Sequence, residues 1–149
     1  MPRCLGIDYG EKRIGLAYGD ELGVATPLPA AIEPRKVDRI ATIGGVIRER
    51  RIELLVIGYP YNMDGSIGFK AREVDAFVEK LEAAFSLPVE RLDERLTSRE
   101  AGRTMSLKEL RQTRKKGILD SRAATLILQD YLDSTDSSPP VGEGSEARE

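Results

Sequence analysis

Three stretches of this chain place carboxylates where secondary structure should begin or end. Asp8 closes the run Arg3-Cys-Leu-Gly-Ile-Asp8 and precedes Tyr9-Gly10. Asp93 and Glu94 follow Leu87-Pro-Val-Glu-Arg-Leu92, and Asp120 stands at the head of a helical pattern. Each has a plain structural use: an Asp that starts a turn at position 8, a helix cap at Asp93, an acid favoured by the helix dipole at Asp120. Adjacent strand residues point to opposite faces, so strand geometry lets either Asp93 or Glu94, not both, share a side with Asp8. Together, two strand ends and the start of a closing helix can meet at one sheet edge, where open α/β sheets build their sites. Carboxylates converging there repel one another unless a divalent cation offsets the charge. Metal-assisted hydrolysis of a phosphodiester needs that arrangement.

The rest of the composition narrows the chemistry to the same class. There is no histidine and one cysteine, Cys4. Ser-His-Asp triads, Cys-His pairs and soft metal sites are therefore excluded. Oxygen ligands remain, so a catalytic metal should be Mg2+ or Mn2+. The 149 residues, 40% hydrophobic and 32% charged, match one globular domain with one core. No apolar stretch approaches the ~18 residues of a membrane-spanning helix, and the first residues lack the blocks of a signal peptide. A lone cysteine suits a reducing cytoplasm. A cytoplasmic protein with no membrane partner is the expectation.

Charge is uneven although the formal net charge is −2. Eight bases (Arg95, Arg99, Arg103, Lys108, Arg111, Arg114, Lys115, Lys116) stand against Glu100 and Glu109 between Arg95 and Lys116. Such an excess attracts phosphates or forms a solvated helical face. Beside the acids, Lys12, Arg13, Arg95, Lys115 and Lys116 are the candidate nucleic-acid contacts. Tyr9, Tyr59 and Tyr61 are either packing residues or stacking partners for unpaired bases. Met63 to Ser66 reads as a loop bordering the site, or as an Asp-Gly turn with Ser66 capping the next helix. From Ser134 onward the chain is Ser, Pro, Gly and Glu with few apolar residues. The expected organisation is one domain over residues 1–133 and a disordered acidic tail over 134–149.

The elements that must position these residues follow from hydrophobic pattern. Short strands are predicted over Arg3–Asp8, Arg13–Tyr18 and Val24–Ala30, joined by tight turns as an antiparallel meander. Val37, Ile40, Ile43 or Gly44, and Ile47 recur at helical spacing to about Arg50. Glu53-Leu-Leu-Val-Ile-Gly58 reads as a strand buried on both faces and parallel to the first. Ala71, Val74, Phe77 or Val78, Leu81 and Phe85 mark a second amphipathic helix. A fifth strand spans Leu87–Leu92, and Leu119, Ala123, Ile127 and Tyr131 outline a last helix. The order β-β-β-α-β-α-β-α predicts an α/β protein with a five-stranded mixed sheet flanked by helices, the ribonuclease H-like fold.

Four blocks carry a closer likeness: Leu5-Gly-Ile-Asp-Tyr-Gly-Glu-Lys-Arg-Ile-Gly-Leu-Ala17, Met63-Asp-Gly-Ser66, Asp93-Glu-Arg-Leu-Thr97 and Asp120-Ser-Arg-Ala-Ala-Thr-Leu-Ile-Leu-Gln129. In this order they resemble the signature of the YqgF, or RuvX-like, family. The resemblance covers about Arg3 to Leu132. It implies a ribonuclease H-like nuclease acting on the precursor of 16S ribosomal RNA in ribosome biogenesis, and a likeness to Holliday junction resolvases. It implies Asp8, Glu94 and Asp120 as the catalytic and metal-binding carboxylates. It also implies structured RNA, branched DNA or pre-ribosomal particles as partners. Where the family's fourth strand often ends Gly-Leu-Pro, this chain has Tyr59 in place of Leu.

Other readings share parts of this pattern. A nuclease for branched DNA needs the same carboxylates. A non-catalytic RNA-binding assembly factor could keep the fold without the reaction. The run Gly6-Ile-Asp-Tyr-Gly10 also resembles the phosphate loop of actin-like and sugar-kinase proteins. Those proteins need a second lobe to enclose the nucleotide, and 149 residues do not supply one.

Overall fold

A computed structural model of the chain describes residues 2–62, 64–93 and 121–136. Five strands and three helices follow in the order β1 (Cys4–Asp8), β2 (Ile14–Gly19), β3 (Ala25–Ala31), α1 (Lys36–Arg50), β4 (Leu54–Tyr59), α2 (Phe69–Phe85), β5 (Val89–Asp93) and α3 (Arg122–Asp136). The strands form one sheet in the order β3-β2-β1-β4-β5. The first three pair antiparallel, and β1, β4 and β5 run parallel. This is the mixed sheet that the pattern predicted, and the arrangement of the ribonuclease H-like fold. The outer strand β3 carries Pro27 and Pro29, which lack ladder N–H groups and so blunt that edge.

Strand alternation divides the core between the two faces. Leu5, Ile7, Leu16, Leu55 and Ile57 pack with α1 and α2. Cys4, Ala17, Leu54 and Val56 pack with Ala124, Ile127, Leu128 and Leu132 of α3. The latter face is made of small residues where the helix crosses. A Cβ on Gly6 would lie 2.7 Å from the Leu128 Cβ and 2.9 Å from the Ala124 carbonyl. Glycine at this position lets α3 rest directly on the central strand.

Three expectations change in detail. The inward stripe of α3 runs through Ala124 and Leu128, whereas Ala123 is exposed. Two adjacent alanines give pattern no means to choose, and the fit of Leu128 over Gly6 decides. In α1, Ile43 and Gly44 are both buried, but Val37 is 58% exposed. The buried Arg39 takes the inward position on that turn, donating to the carbonyls of Glu33, Pro34 and Glu11. Finally, α3 continues to Asp136, three residues past the boundary expected at 133. Ser134 lies within the helix and bonds to the Asp130 carbonyl. Residues 137–149 of the expected tail lie outside the described residues. Among the described residues, no helix is long and apolar enough to cross a membrane.

Candidate active-site edge

The carboxyl ends of three parallel strands lie along one edge of the sheet. Ile7 pairs with Ile57, and Tyr59 with Asp93, so Asp8, Tyr59 and Asp93 finish at neighbouring levels. Asp8 is half-buried at the end of the central strand. Two residues back, Gly6 meets α3, so alternation assigns Asp8 to the α3 face of the sheet. Asp93 pairs with Tyr59, which packs on the opposite face with α2, and Leu92 packs with α3. Asp93 therefore falls on the opposite face from Asp8. Glu94, Arg95, Lys115, Lys116 and Asp120, together with the rest of the basic run, lie outside the described residues.

The beginning of α3 is fixed against the meander by one buried hydroxyl. The β2–β3 register shifts between Ile14 and Leu16. At the Leu16–Leu28 pair beside this irregularity, Ser121 Oγ accepts the Leu16 N–H at 3.0 Å and donates to the Leu28 carbonyl. Ser121 is fully buried. The residue that follows Asp120 in the chain is thus tied to both strands, beside β1. Within the block Asp120-Ser-Arg-Ala-Ala, the small hydroxyl was the available signal for this role.

The β1–β2 turn, Tyr9 to Arg13, is shaped from two sides. A Cβ on Gly10 would stand 2.5 Å from the Arg13 carbonyl, which excludes any side chain at that position of the turn. Arg39 Nη2 donates to the Glu11 carbonyl at 3.0 Å, so a buried charge on α1 holds the turn that carries Lys12 and Arg13. Both of those side chains are exposed. Arg39 was legible in principle, because it falls four residues before Ile43 on the inward face.

Asp8 and this turn also line a cleft of about 120 Å3 with Pro60, Lys70 and Glu73. Lys70, in the first turn of α2, escaped the sequence reading. Nothing in the local pattern of α2 brings it to β1. Beyond Tyr59, Asn62, Asp64 and Ser66 close a turn of their own. Ser66 donates its N–H and its hydroxyl to Asp64 Oδ1 at 2.9 and 2.6 Å. Ser66 therefore does not cap α2, whose N-cap is Gly68 without a side-chain bond. Met63 lies outside the described residues.

The tyrosines divide between packing and surface. Tyr59 is buried, and its hydroxyl donates to Asp75 Oδ2 at 2.7 Å. Arg91 of β5 reaches the other Asp75 oxygen at 3.2 Å and lies 5.7 Å from the Tyr59 ring centre. Burial first, and then the bond to Asp75, push the Tyr59 phenol above its ordinary pKa. The Tyr61 ring meets Tyr59 edge-on at 4.8 Å. Tyr59 thus joins β4, β5 and α2, work that a leucine there could not do. Tyr9 is half-buried against Phe77, with ring centres 4.6 Å apart.

A family profile described as "RuvX: Holliday junction resolvase" matches residues 2–134. The chain belongs to the RuvX family. Relatives include a protein of Opitutus terrae, 54% identical over 88% of this chain and 91% of its own length. Another, from Trichormus variabilis, is 43% identical over 87% of each chain. Both carry the name "Putative pre-16S rRNA nuclease". The family is one of nucleases, hydrolases of phosphodiester bonds. Among solved structures, Thermus thermophilus RuvC in complex with a Holliday junction substrate aligns with a TM-score of 0.52 at 15% identity. That alignment covers 91% of this chain and 96% of RuvC. The fowlpox virus resolvase, in complex with its junction DNA, aligns at 0.57 and 10% identity over 89% and 98%. At such identities the likeness is one of fold.

Proposed function

We propose that this chain is a metal-dependent endonuclease of ribosome biogenesis, hydrolysing phosphodiester bonds in the precursor of 16S ribosomal RNA with Asp8, Glu94 and Asp120. One observation carries the reading: Asp8 ends the central strand, the residue before Glu94 ends β5, and the residue after Asp120 is tied to β2 and β3, all toward the same end of the sheet. Strand parity supports Glu94 over Asp93, because Asp93 is on the face opposite Asp8. The donor set fits a hard cation, since a chain without histidine offers oxygen ligands there. Among the described residues there is no group of three acids, cysteines or histidines able to hold a metal; two of the three proposed ligands lie beyond them. A bound Mg2+ or Mn2+ would supply Lewis acidity and a more acidic water. Around it, Lys12, Arg13 and Lys70 would hold flanking phosphates as point charges or forks. Arg95, Lys115 and Lys116 would extend that contact, and Arg39 would keep the Lys12–Arg13 turn in place. Precursor RNA and its particles would be met in the cytoplasm.

The family's description also favours branched DNA as a second substrate class. One assay separates the readings. Labelled precursor RNA and a four-way DNA junction are incubated with the full chain, with and without Mg2+ or Mn2+, beside Asp8→Asn. The expected result is metal-dependent cutting of the RNA, reduced roughly 100-fold or more by Asp8→Asn. Preferential cutting of the junction would move the substrate to DNA. Binding without any cutting would leave a non-catalytic RNA-binding factor, and full metal-dependent cleavage by Asp8→Asn would overturn the assigned carboxylates.

A further inference from the structure

A second cavity, of about 130 Å3, lies between α1 and α2 behind the β1–β2 turn. Its lining combines Tyr9, Ile40 and Phe77 with Lys36, Arg39, Lys80 and Glu73. Tyr9 and Glu73 also line the Asp8 cleft, so the two hollows are neighbours. The contents suit one chemistry. Tyr9 and Phe77 form an aromatic wall, which fits the flat apolar face of a nucleobase. Lys36 and Lys80 at the rim outnumber Glu73, with the buried Arg39 behind them, a positive excess that fits the phosphate attached to that base. Arg39 directs its Nη groups at backbone carbonyls, so Lys36 and Lys80, both exposed, are the side chains available to a phosphate. The proposed nuclease reading leaves this cavity without a role.

We infer that the cavity between α1 and α2 receives an unpaired nucleotide of the substrate strand, its base against Tyr9 and Phe77 and its phosphate at Lys36 and Lys80. The inference rests on the nucleic-acid reading of the Asp8 edge and specifies its substrate: the strand beside the cut is single-stranded. A paired base is held in its stack and cannot enter, so the pocket selects loops, bulges or ends.

The test uses the full chain in EDTA, where binding is measured without cleavage. A short single-stranded oligoribonucleotide carrying 2-aminopurine is titrated beside a blunt RNA duplex of equal length. Two variants alter the cavity without touching the core. Lys36→Gln with Lys80→Gln removes the phosphate contacts. Ala76→Leu, at an exposed lining position of α2, narrows the mouth. The double variant should weaken single-strand binding by about tenfold and flatten its salt slope by about 1.4, two contacts at ~0.7 each. Ala76→Leu should weaken it by about fivefold or more, the lower end for one stacked base, and relieve the quenching of 2-aminopurine. Duplex binding should change less than twofold in both. Equal losses on duplex and single strand would reduce the lysines to general surface charge and overturn the pocket, as would unchanged single-strand binding or a wild type that binds no single strand. The carboxylate assignment is judged separately, by the cleavage of Asp8→Asn: its loss of activity beside intact single-strand binding in the cavity variants would reject the pocket alone.

Discussion

The phenolic oxygen of Tyr59 stands 2.7 Å from Asp75 Oδ2, joining the end of β4 to the middle of α2. Because Arg91 occupies the other Asp75 oxygen, the carboxylate gathers two strands and a helix beside the proposed active edge. Tyr59→Phe keeps the ring against Tyr61 and deletes the hydroxyl. It should cost about 1.5–3 kcal/mol in urea denaturation, the range for losing one bond to a charged acceptor. A cost indistinguishable from zero would mean that Arg91 alone satisfies Asp75.

Alkaline pH should reveal burial on both faces of the sheet. The Cys4 thiol is pushed up to about 11 from 9.0, chiefly by burial and next by Glu53, and Tyr59 is raised as well. A raised folded pKa means that the native state holds its proton longer than the unfolded chain does. The stability this confers is complete below about pH 9 and is lost as pH climbs toward 11. Unfolding free energy should therefore decline over that window, and Cys4→Ala should make the decline shallower. An unchanged slope in Cys4→Ala would show that other groups carry it.

Ser121→Ala should expose the weakness of the β2–β3 irregularity. The Leu16 N–H and the Leu28 carbonyl would both lose the hydroxyl that serves them, costing about 1–3 kcal/mol for buried polar groups left unpaired. Native-state hydrogen exchange should quicken at the Leu16 amide more than at Leu5 or Ile57. Uniform quickening would mean that the whole sheet, rather than this junction, had loosened.

Asp8→Asn tests the carboxylate cluster through stability as well as catalysis. If Glu94 and Asp120 join Asp8 as proposed, removing one of the three negative charges should leave the metal-free protein as stable as wild type or slightly more so. Added Mg2+ should raise the wild-type melting temperature by mass action and raise that of the variant much less. A variant destabilised without metal, and responding to Mg2+ as wild type does, would return Asp8 to the role of a turn residue.

Much of the fold could be read before any coordinates. All five strands and the three described helices lie within a few residues of their predicted limits, because strand alternation, helical spacing and turn residues are local properties. Asp8 was equally legible, as a charged residue ending an apolar strand beside Tyr9-Gly10. The failures also have a local origin. Val37 has the spacing of a core residue, yet Arg39 takes the inward place because two carbonyls just before its helix and one from the distant β1–β2 turn converge on it. Ser66 has the chemistry of a cap, but Asp64 captures it first.

The sequence by itself determined which side chains were available for chemistry: carboxylates, hydroxyls, lysines and arginines, since histidine is absent and cysteine single. It also determined that Asp8 ends a buried strand, because burial of an apolar run depends on its own composition. Tertiary structure decided who stands beside whom. Lys70 reaches the Asp8 cleft, Ser121 bridges strands more than ninety residues earlier, and Asp75 gathers Tyr59 and Arg91. Each of these contacts depends on how strands are ordered and how helices settle on their two faces. That order is a property of packing the whole chain, and no local window of residues contains it.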